Sequence, residues 1–167
     1  MNRIAHIKRH ICLFTINHFF SGNHFWRIKR SLMRAAGAVI GKNTKIVGPI
    51  YFTCKLTIGD NCWIGMRFSA HGNGSVSIGD YCDFAPEVIL LTGSHEIGRC
   101  SHRAGKGIAL PIEIGNGCWI GARATILGNS NIKDGCVVGS CTLTNKVYEK
   151  NSLIVGVPGV CKKYLTE

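Results

Sequence analysis

The sequence predicts an all-β fold, a parallel β-helix of about five triangular coils with a helical N-terminal cap and one long loop ejected from the coils. Three observations lead to this prediction. An aliphatic residue, usually followed by glycine, recurs every six residues over most of the chain. Glycine makes up 21 of the 167 residues, about twice its ordinary share, which indicates many tight turns. Hydrophobic residues make up 46% and charged residues 17%, which excludes a disordered chain.

The repeat is clearest where Ile58-Gly-Asp-Asn-Cys-Trp is followed directly by Ile64-Gly-Met-Arg-Phe-Ser. A period of six fits neither an α-helix nor a long alternating strand, but it fits very short strands separated by turns. The aliphatic first residue then points inward, and glycine in the second position tolerates unusual backbone angles. The fifth residue must be small because it faces a tight corner. The same phase begins at Ile40, Ile46, Phe52, Ile78, Phe84, Leu90, Ile114, Ile120, Ile126, Ile132 and Val138.

The nine cysteines fit this repeat better than a disulfide framework or a metal site. Their odd number argues against a closed set of disulfides, and no Cys-x-x-Cys pair or zinc-finger spacing occurs. Four of them occupy the fifth position of a hexad, where we expect small buried core residues: Cys62, Cys82, Cys118 and Cys136. No apolar run reaches about 20 residues and no signal-peptide cleavage pattern is present, so the sequence predicts a cytoplasmic protein with reduced thiols.

Two interruptions break the phase of the repeat. Two extra residues within 71–75 form a small bulge, and no hexad begins between Leu90 and Ile114. The second gap predicts a loop over residues 91–113. A long loop ejected from a regular solenoid is more often functional than idle, so this loop is the first place to look for a site.

The N-terminal segment, residues 1–36, is predicted to be helical, ahead of a β-helix domain over 37–167 with a short tail from about residue 157. Residues 1–59 hold ten Lys and Arg and no acid, so they carry ten of the eleven net positive charges. We expect one or two amphipathic basic helices, interrupted at Ser21-Gly-Asn23, that cover the open end of the coils. The alternative is a helix that lies on an anionic membrane surface. The apolar positions are Ile4, Ile7, Ile11 and Phe14, and in the second stretch Phe25, Trp26, Leu32 and Met33.

Three motifs accompany the hexads: Thr92-Gly-Ser-His95 after the coil that contains Ala85-Pro86, then Trp119-Ile-Gly-Ala122, and Gly156-Val-Pro158-Gly. With them, residues 35–165 resemble the left-handed β-helix acetyltransferases, the hexapeptide-repeat family that includes galactoside, maltose and capsular-polysaccharide O-acetyltransferases. The resemblance implies left-handed coils and transfer of an acetyl group from acetyl-CoA to a hydroxyl or an amine. It also implies a homotrimer with active sites between neighbouring prisms.

The resemblance implies that His95 is the catalytic residue and acts as a general base. A sugar hydroxyl is a poor nucleophile until its proton is removed, and imidazole, with an ordinary pKa of about 6.5, removes it at cellular pH. Backbone N–H groups near Ala122 would stabilise the oxyanion. The residues implied to bind acetyl-CoA are Trp119, Ala122, Ser140, Lys146 and Lys163.

Each of these residues has a separate implied role. The backbone of Ala122 and Ser140 would line the pantetheine channel. Lys146 and Lys163 would lie near the nucleotide phosphates as point charges. Trp119 would stand near the active-site end of the channel, and its alternative is packing on the outside of the prism.

Some positions depart from the family pattern or stay open. Gly65 stands where galactoside-type members place an acceptor-binding asparagine, so the acceptor stays open. Val160 stands where a Lys or Arg usually follows the C-terminal motif, and the lysines come two residues later, which would shift the phosphate contacts. Glu87 and Glu96 are the candidates to orient His95, with a solvated surface carboxylate as the alternative for each, and the sequence does not choose among these.

The sequence therefore predicts an acetyl-CoA-dependent O-acetyltransferase that modifies a hydroxyl of a sugar or polysaccharide precursor. N-acetylation of an amino-sugar or nucleotide-sugar is the alternative within the family. A zinc carbonic anhydrase on a similar prism would need three histidine ligands, but His71, His95 and His102 lack that family's spacing, so no metal is expected. A non-enzymatic binder of membrane or nucleic acid is a further alternative. No nucleic-acid partner is expected, whereas peripheral contact between residues 1–36 and an anionic membrane stays open.

Overall fold

A computed structural model describes residues 3–166 of the chain. Two helices come first, α1 at Arg3–Phe19 and α2 at Trp26–Ala35. Twenty short strands follow, and most of them build three parallel sheets that form the sides of a triangular prism. Among the described residues, no helix is long and apolar enough to cross a membrane.

The three sheets are named here face A, face B and face C. Face A contains β1 Val39–Ile40, β4 Lys55–Ile58, β7 Ser75–Ile78, β12 Ile112–Ile114, β15 Asn131–Ile132 and β18 Val147–Tyr148. Face B contains β2 Lys45–Ile46, β5 Trp63–Ile64, β8 Asp83–Phe84, β13 Trp119–Ile120, β16 Val137–Val138 and β19 Ser152–Val155, and it ends with the antiparallel β20 Val160–Tyr164. Face C contains β3 Ile50–Phe52, β6 Phe68–His71, β9 Ile89–Leu91, β14 Thr125–Leu127 and β17 Leu143–Thr144. The remaining strands, β10 Gly93–Ile97 and β11 Ala104–Ala109, form an antiparallel hairpin outside the prism.

The first residues of the hexads stack in register along each face and fill the core. On face A, for example, Ile40 pairs with Ile58 and Ile58 with Ile78, and all three are buried. The residue before each of them points outward, so burial alternates within these three strands. The predicted parallel β-helix is therefore confirmed, with its interior filled by stacked aliphatic side chains.

The prism has about six coils, one more than the sequence predicts. Faces A and B each contain six parallel strands, and face C contains five. The period does not reveal the last coil, because Tyr148 on face A comes four positions after Thr144 on face C, whereas a regular hexad, such as Ile126 to Ile132, spans six positions. Tyr148 is buried in the aliphatic position, and its hydroxyl donates a hydrogen bond to the Gly159 carbonyl oxygen at 3.1 Å.

Glycine in the second position of a hexad is required by close approach and not by its backbone angles. A Cβ atom on Gly59 would come within 2.6 Å of the Gly79 carbonyl oxygen in the next coil. The left-handed backbone conformation falls instead on the fourth position, where Asn61 has φ 56° and Tyr81 has φ 57°. The sequence explains the glycine in the second position by unusual backbone angles, and that explanation is wrong. A side chain is excluded there by the close spacing of neighbouring coils.

The cysteines in the fifth position form a buried column along the corner between faces A and B, as predicted. The Sγ of Cys62 donates to the Gly79 carbonyl oxygen at 3.2 Å, and the Sγ of Cys82 donates to that of Gly115 at 3.0 Å. Hydrogen bonding with Cys118, together with burial, raises the pKa of Cys82 to about 12. Hydrogen bonding and burial also raise the pKa of Cys62 and Cys118, whereas hydrogen bonding with Cys118 lowers the pKa of Cys136, at the end of the column, to about 7. The first three thiols therefore stay protonated at neutral pH, which suits small packing residues.

The two helices cap one end of the prism, as the sequence predicts. Helix α1 packs on β3 and on α2, and α2 packs on β1 and β2. The Asn17 side chain fixes α1 to β3, because it donates to the Ile50 carbonyl oxygen at 3.0 Å and accepts from the Ile50 N–H at 2.8 Å. The Arg9 guanidinium donates to the Thr53 carbonyl oxygen at 2.8 Å and lies 4.7 Å from the centre of the Phe52 ring.

The side of α1 that packs is not the apolar side that the sequence suggests. The buried residues are Cys12, Leu13 and Ile16. The residues at the predicted apolar spacing, Ile4, Ile7, Ile11 and Phe14, are exposed large hydrophobic side chains. The cap therefore carries two apolar sides, one against the prism and one facing outward.

Lys29 is a buried cation within the cap and gives a test of its energetics. Its side chain is 0% exposed, and its Nζ donates to the Gly22 carbonyl oxygen at 2.5 Å and to the Val47 carbonyl oxygen at 3.2 Å. Burial lowers the pKa of Lys29 from 10.5 to about 8. Because the folded-state pKa lies below the unfolded one, the charged form costs stability below pH 8, and this cost is relieved as the pH rises toward 10.5.

We expect Lys29→Met to lower the free energy of unfolding by about 1–3 kcal/mol at neutral pH, because the Gly22 carbonyl oxygen loses its Lys29 donor and the Val47 carbonyl oxygen keeps only the Gly22 N–H. The deficit of the variant should then widen as the pH rises from 7 to 9.5, because only the natural chain is relieved of a buried charge. Urea unfolding of both proteins at fixed concentration in a reducing buffer measures this difference. Lys42→Met, at an exposed turn, is the matched control. Parallel pH dependences for the Lys29 variant and the natural chain would contradict a buried, charge-destabilised lysine.

Candidate active site

The predicted loop is a β-hairpin that leaves the prism at the corner between faces C and A. The chain departs after β9, forms β10 and β11, and returns at β12. Its base is fixed by Thr92, which is buried and accepts a backbone hydrogen bond from Leu110 at 2.7 Å. The hairpin is therefore a projecting arm on a rigid base, which is a common way to present catalytic residues.

His95 lies in the middle of β10, with an exposed imidazole ring. Its cross-strand partner is Gly107, so no side chain opposes the ring from the neighbouring strand. The Nδ1 atom lies 2.9 Å from the Gly105 carbonyl oxygen. Because a carbonyl oxygen can only accept a hydrogen bond, Nδ1 carries the proton in the neutral ring, and the lone pair of Nε2 is free to accept another.

His95 faces an open groove of about 420 Å³ at the foot of the hairpin, a volume within the usual range for small-molecule sites. Polar side chains from two coils meet there. The groove is lined by His71, Asn73, Ser94 and His95, with Leu91 and Ile108 among its apolar residues. A base with a free nitrogen beside amide and hydroxyl groups suits a polar acceptor with several hydroxyls.

The bulge at 71–75 supplies one wall of this groove, which the sequence analysis did not predict. A Cβ atom on Gly72 would come within 2.5 Å of both the Gly93 nitrogen and the Thr92 Oγ1, so the bulge lies directly against the base of the hairpin. A usable signal was present in the sequence. Both interruptions of the repeat follow a face C strand, so they stack at the same corner one coil apart.

A second cavity, of about 400 Å³, lies between α1 and β3 and adjoins the groove through His71, which lines both. Its floor is apolar and aromatic, with Leu13, Tyr51 and Phe52. The His6 and His10 side chains also line it, with their Nε2 atoms 3.2 Å apart. The N-terminal cap thus contributes to the surroundings of the groove as well as covering the coils.

Within the chain, Glu87 lies away from His95. The Glu87 carboxylate accepts from Arg123 at 2.7 Å and from Arg67 at 3.1 Å, at the corner between faces B and C. These two guanidiniums, Arg123 foremost, lower the pKa of Glu87 below its ordinary value. The group that holds the His95 ring at Nδ1 is the backbone carbonyl of Gly105.

Ala122 and Ser140 stack on each other at the corner between faces B and C. The Ala122 carbonyl oxygen accepts from the Cys141 N–H at 2.9 Å, and a Cβ atom on Gly121 would meet the Ser140 nitrogen at 2.6 Å. Ala122 is half-buried and Ser140 is exposed. Small residues in successive coils leave a shallow track of backbone along this corner.

The other predicted contacts lie on different surfaces. Trp119 points outward from face B and is 57% exposed. Lys146 is exposed at the corner between faces C and A, the hairpin corner, with its Nζ 5.7 Å from the Tyr148 ring centre. Lys163 is exposed on β20, opposite Leu153 of β19.

A single prism does not bring the predicted catalytic and cofactor residues together. His95 projects from the corner at one edge of face C, whereas Ala122 and Ser140 lie at the corner on its other edge. Of the predicted cofactor contacts, only Lys146 shares the hairpin's corner. Within one chain, the two parts therefore lie on opposite edges of face C and do not form a single site.

Within residues 3–166, no three His, Cys, Asp or Glu side chains are grouped as metal ligands. His71 and His95 line the same groove, but His102 lies in the turn of the hairpin and does not join them. The three histidines considered for a zinc site are thus not gathered into one.

Comparison with known proteins agrees with this architecture. Residues 111–146 match the family described as bacterial transferase hexapeptide (six repeats), and residues 55–84 match the hexapeptide repeat of succinyl-transferase. The chain is 30% identical over 152 residues to the galactoside O-acetyltransferase of Escherichia coli K12, covering 86% of this chain and 73% of that protein. It is 32% identical over 137 residues to the putative colanic acid biosynthesis acetyltransferase WcaF of the same organism, covering 81% and 74%.

A solved structure, a galactoside acetyltransferase in complex with coenzyme A, superimposes on the chain with a TM-score of 0.84 at 23% identity, covering 98% of this chain and 82% of that one. The likeness shows the fold, which is the left-handed parallel β-helix that the sequence resemblance implied.

Proposed function

Because the chain belongs to the hexapeptide-repeat acetyltransferase family, we propose that it transfers an acetyl group from acetyl-CoA to a hydroxyl of a sugar or polysaccharide precursor. The observation that carries this proposal is the His95 ring, held through Nδ1 with Nε2 free over an open polar groove. The relatives named for galactoside acetylation and for colanic acid biosynthesis support a sugar as the acceptor. The expectation of a cytoplasmic location belongs to the same proposal.

In the proposed reaction His95 acts as the general base in a direct attack. Nε2 removes the hydroxyl proton as the acceptor oxygen attacks the thioester carbonyl carbon. When the tetrahedral intermediate collapses, the carbon–sulfur bond breaks, and the protonated Nε2 returns the proton to the leaving thiolate. The Gly105 carbonyl supports this cycle, because it keeps the proton on Nδ1 and stabilises the imidazolium that forms between the two steps.

The site is proposed to lie between neighbouring copies of a homotrimer. One copy would supply the His95 hairpin and the polar groove, and the next would supply the B–C corner with Ala122 and Ser140. Backbone N–H groups near Ala122 would then face the developing oxyanion. This division is supported by the placement of the two parts on opposite edges of face C. Trp119, Lys146 and Lys163 keep their proposed roles along acetyl-CoA, and all three are exposed, as such contacts require.

The proposal that the acceptor is a sugar is supported by the side chains that line the groove. Gly65 offers no side chain for the asparagine contact expected in galactoside-type members, whereas Asn73 supplies an amide beside His95 in this chain. Amide and hydroxyl groups hydrogen-bond sugar hydroxyls in either direction, which suits recognition of a saccharide.

A thiol-release assay tests the proposed function. The chain should release free CoA from acetyl-CoA when it is given a panel of sugars, nucleotide-sugars and oligosaccharides, with ester formation on the acceptor confirmed by mass spectrometry. Formation of an amide on an amino-sugar, without any ester, would overturn O-acetylation in favour of N-acetylation. No release with any acceptor would contradict the enzymatic proposal itself.

A further inference from the structure

The outward side of α1 carries an exposed apolar stripe, and within it the Phe14 ring contacts only side chains of the same helix, His18 and Phe19, among the ring contacts of the described residues. Ile7, Ile11 and Phe14 are 51%, 61% and 55% exposed, and Ile4 extends the same side. Their spacing of three and four residues places them along one side of the helix. The residues that do pack, Cys12, Leu13 and Ile16, lie on the other side. Large apolar side chains aligned on a solvent-exposed helix are typical of a surface that binds a protein or a membrane.

Basic residues flank this stripe, and no acid lies near it in the sequence. Arg3 precedes Ile4 and Lys8 follows Ile7, so at about 100° per residue the two cations stand on opposite sides of the stripe. Both are exposed. The first acidic residue in the chain is Asp60. An apolar stripe bordered by cations is the pattern of a helix that lies in a membrane interface.

We propose that α1 binds an anionic phospholipid surface, with Ile4, Ile7, Ile11 and Phe14 inserted below the headgroups and Arg3 and Lys8 at the phosphates. Charge complementarity selects this partner, because anionic lipid attracts basic segments next to the interface. A second copy of the chain is a poorer fit. Two stripes in contact would bring like charges together, and four side chains are far fewer than the roughly 20–30 residues a side of a stable interface.

Vesicle co-sedimentation tests the proposal directly. The natural chain should bind vesicles of phosphatidylcholine mixed with an equal amount of phosphatidylglycerol, and bind pure phosphatidylcholine vesicles much more weakly. The double variant Ile7→Ser, Ile11→Ser should lower the partition onto anionic vesicles at least tenfold, because two large apolar side chains no longer insert. The matched control is Ile97→Ser, which removes an isoleucine that is 87% exposed on the hairpin, away from α1.

Two further measurements test the role of the basic residues and the oligomeric state of the stripe variant. Arg3→Gln with Lys8→Gln should reduce binding to anionic vesicles and leave weak binding to neutral ones unchanged. Equal binding by the stripe variant and the natural chain, or no binding by the natural chain, would overturn the proposal. So would a stripe variant that changes the molar mass in light scattering without changing vesicle binding, because the stripe would then pack on another copy. Binding is measured without acetyl-CoA, so its failure would leave the proposed acetyl transfer standing.

Discussion

Replacing His95 with alanine is expected to lower the turnover number for acetyl transfer by about 10²–10⁴-fold, the usual contribution of a general base. The loss should fall on kcat, with little change in KM for acetyl-CoA, because the proposed CoA track lies on another corner of the prism. The variant should keep its fold. The exposed imidazole makes one hydrogen bond, to the Gly105 carbonyl oxygen, and its cross-strand partner is a glycine.

His102→Ala is the matched control for this variant. His102 is an exposed histidine in the turn of the same hairpin, and it does not line the groove. Thiol release, circular dichroism and light scattering on both variants separate loss of the base from loss of structure. Full activity in His95→Ala would show that another group, or none, takes the hydroxyl proton.

The second large effect is expected at Ala122. Replacing it with arginine should lower kcat/KM for acetyl-CoA by about 10²-fold or more, because a long side chain would fill the shallow track between its coil and that of Ser140 and displace the thioester from the base. The core should tolerate the change, since Ala122 stands at a corner and not among the buried aliphatic residues.

Ala122→Ser is the control at the same position. It adds one oxygen, and serine already occupies the equivalent place one coil further along, at Ser140. We expect this variant to stay within about threefold of the natural chain, as small surface changes usually do. The measurement is steady-state thiol release over a range of acetyl-CoA concentrations. If Ala122→Arg were as active as Ala122→Ser, the CoA track would not pass this corner.

The repeat itself was enough to predict the prism, because each coil repeats the same local physics. An aliphatic residue such as Ile58 must stack on its counterpart Ile78, and a small fifth residue such as Cys82 must fill the corner. What local physics could not supply was the last coil. Its shortened turn before Tyr148 abandons the period that reveals the others.

The orientation of α1 shows a different limit of the sequence. Ile7 and Ile11 form a regular apolar stripe, yet the helix packs through Cys12 and Ile16. A helix with two apolar sides satisfies the same spacing whichever side is buried. The choice is made by tertiary contacts such as the pairing of Asn17 with the backbone of Ile50, which spacing along the chain does not reveal.

The candidate site was predictable in its residues but not in its arrangement. His95 was found from a motif in an ejected loop, whereas its partner at Nδ1, the Gly105 carbonyl, carries no side-chain signal. His71 and Asn73 line the same groove as His95 because both interruptions of the repeat, the bulge and the hairpin, lie at one corner of the prism. His95 and Ala122 lie at different corners of the triangular coils. The central claim is therefore that an active site is built from two copies of the chain.

Co-expression of His95→Ala and Ala122→Arg chains, with a different tag on each so that mixed trimers can be purified, tests that claim most directly. Each variant alone should keep no more than about a hundredth of the natural activity in thiol release. In a purified mixed trimer of either composition, one of the three sites combines the intact hairpin of an Ala122→Arg chain with the intact B–C corner of a neighbouring His95→Ala chain, so about a third of the sites are complete. Recovery of about a third of the natural activity is the predicted result. Mixed trimers as inactive as either parent would contradict a site built from two copies of the chain.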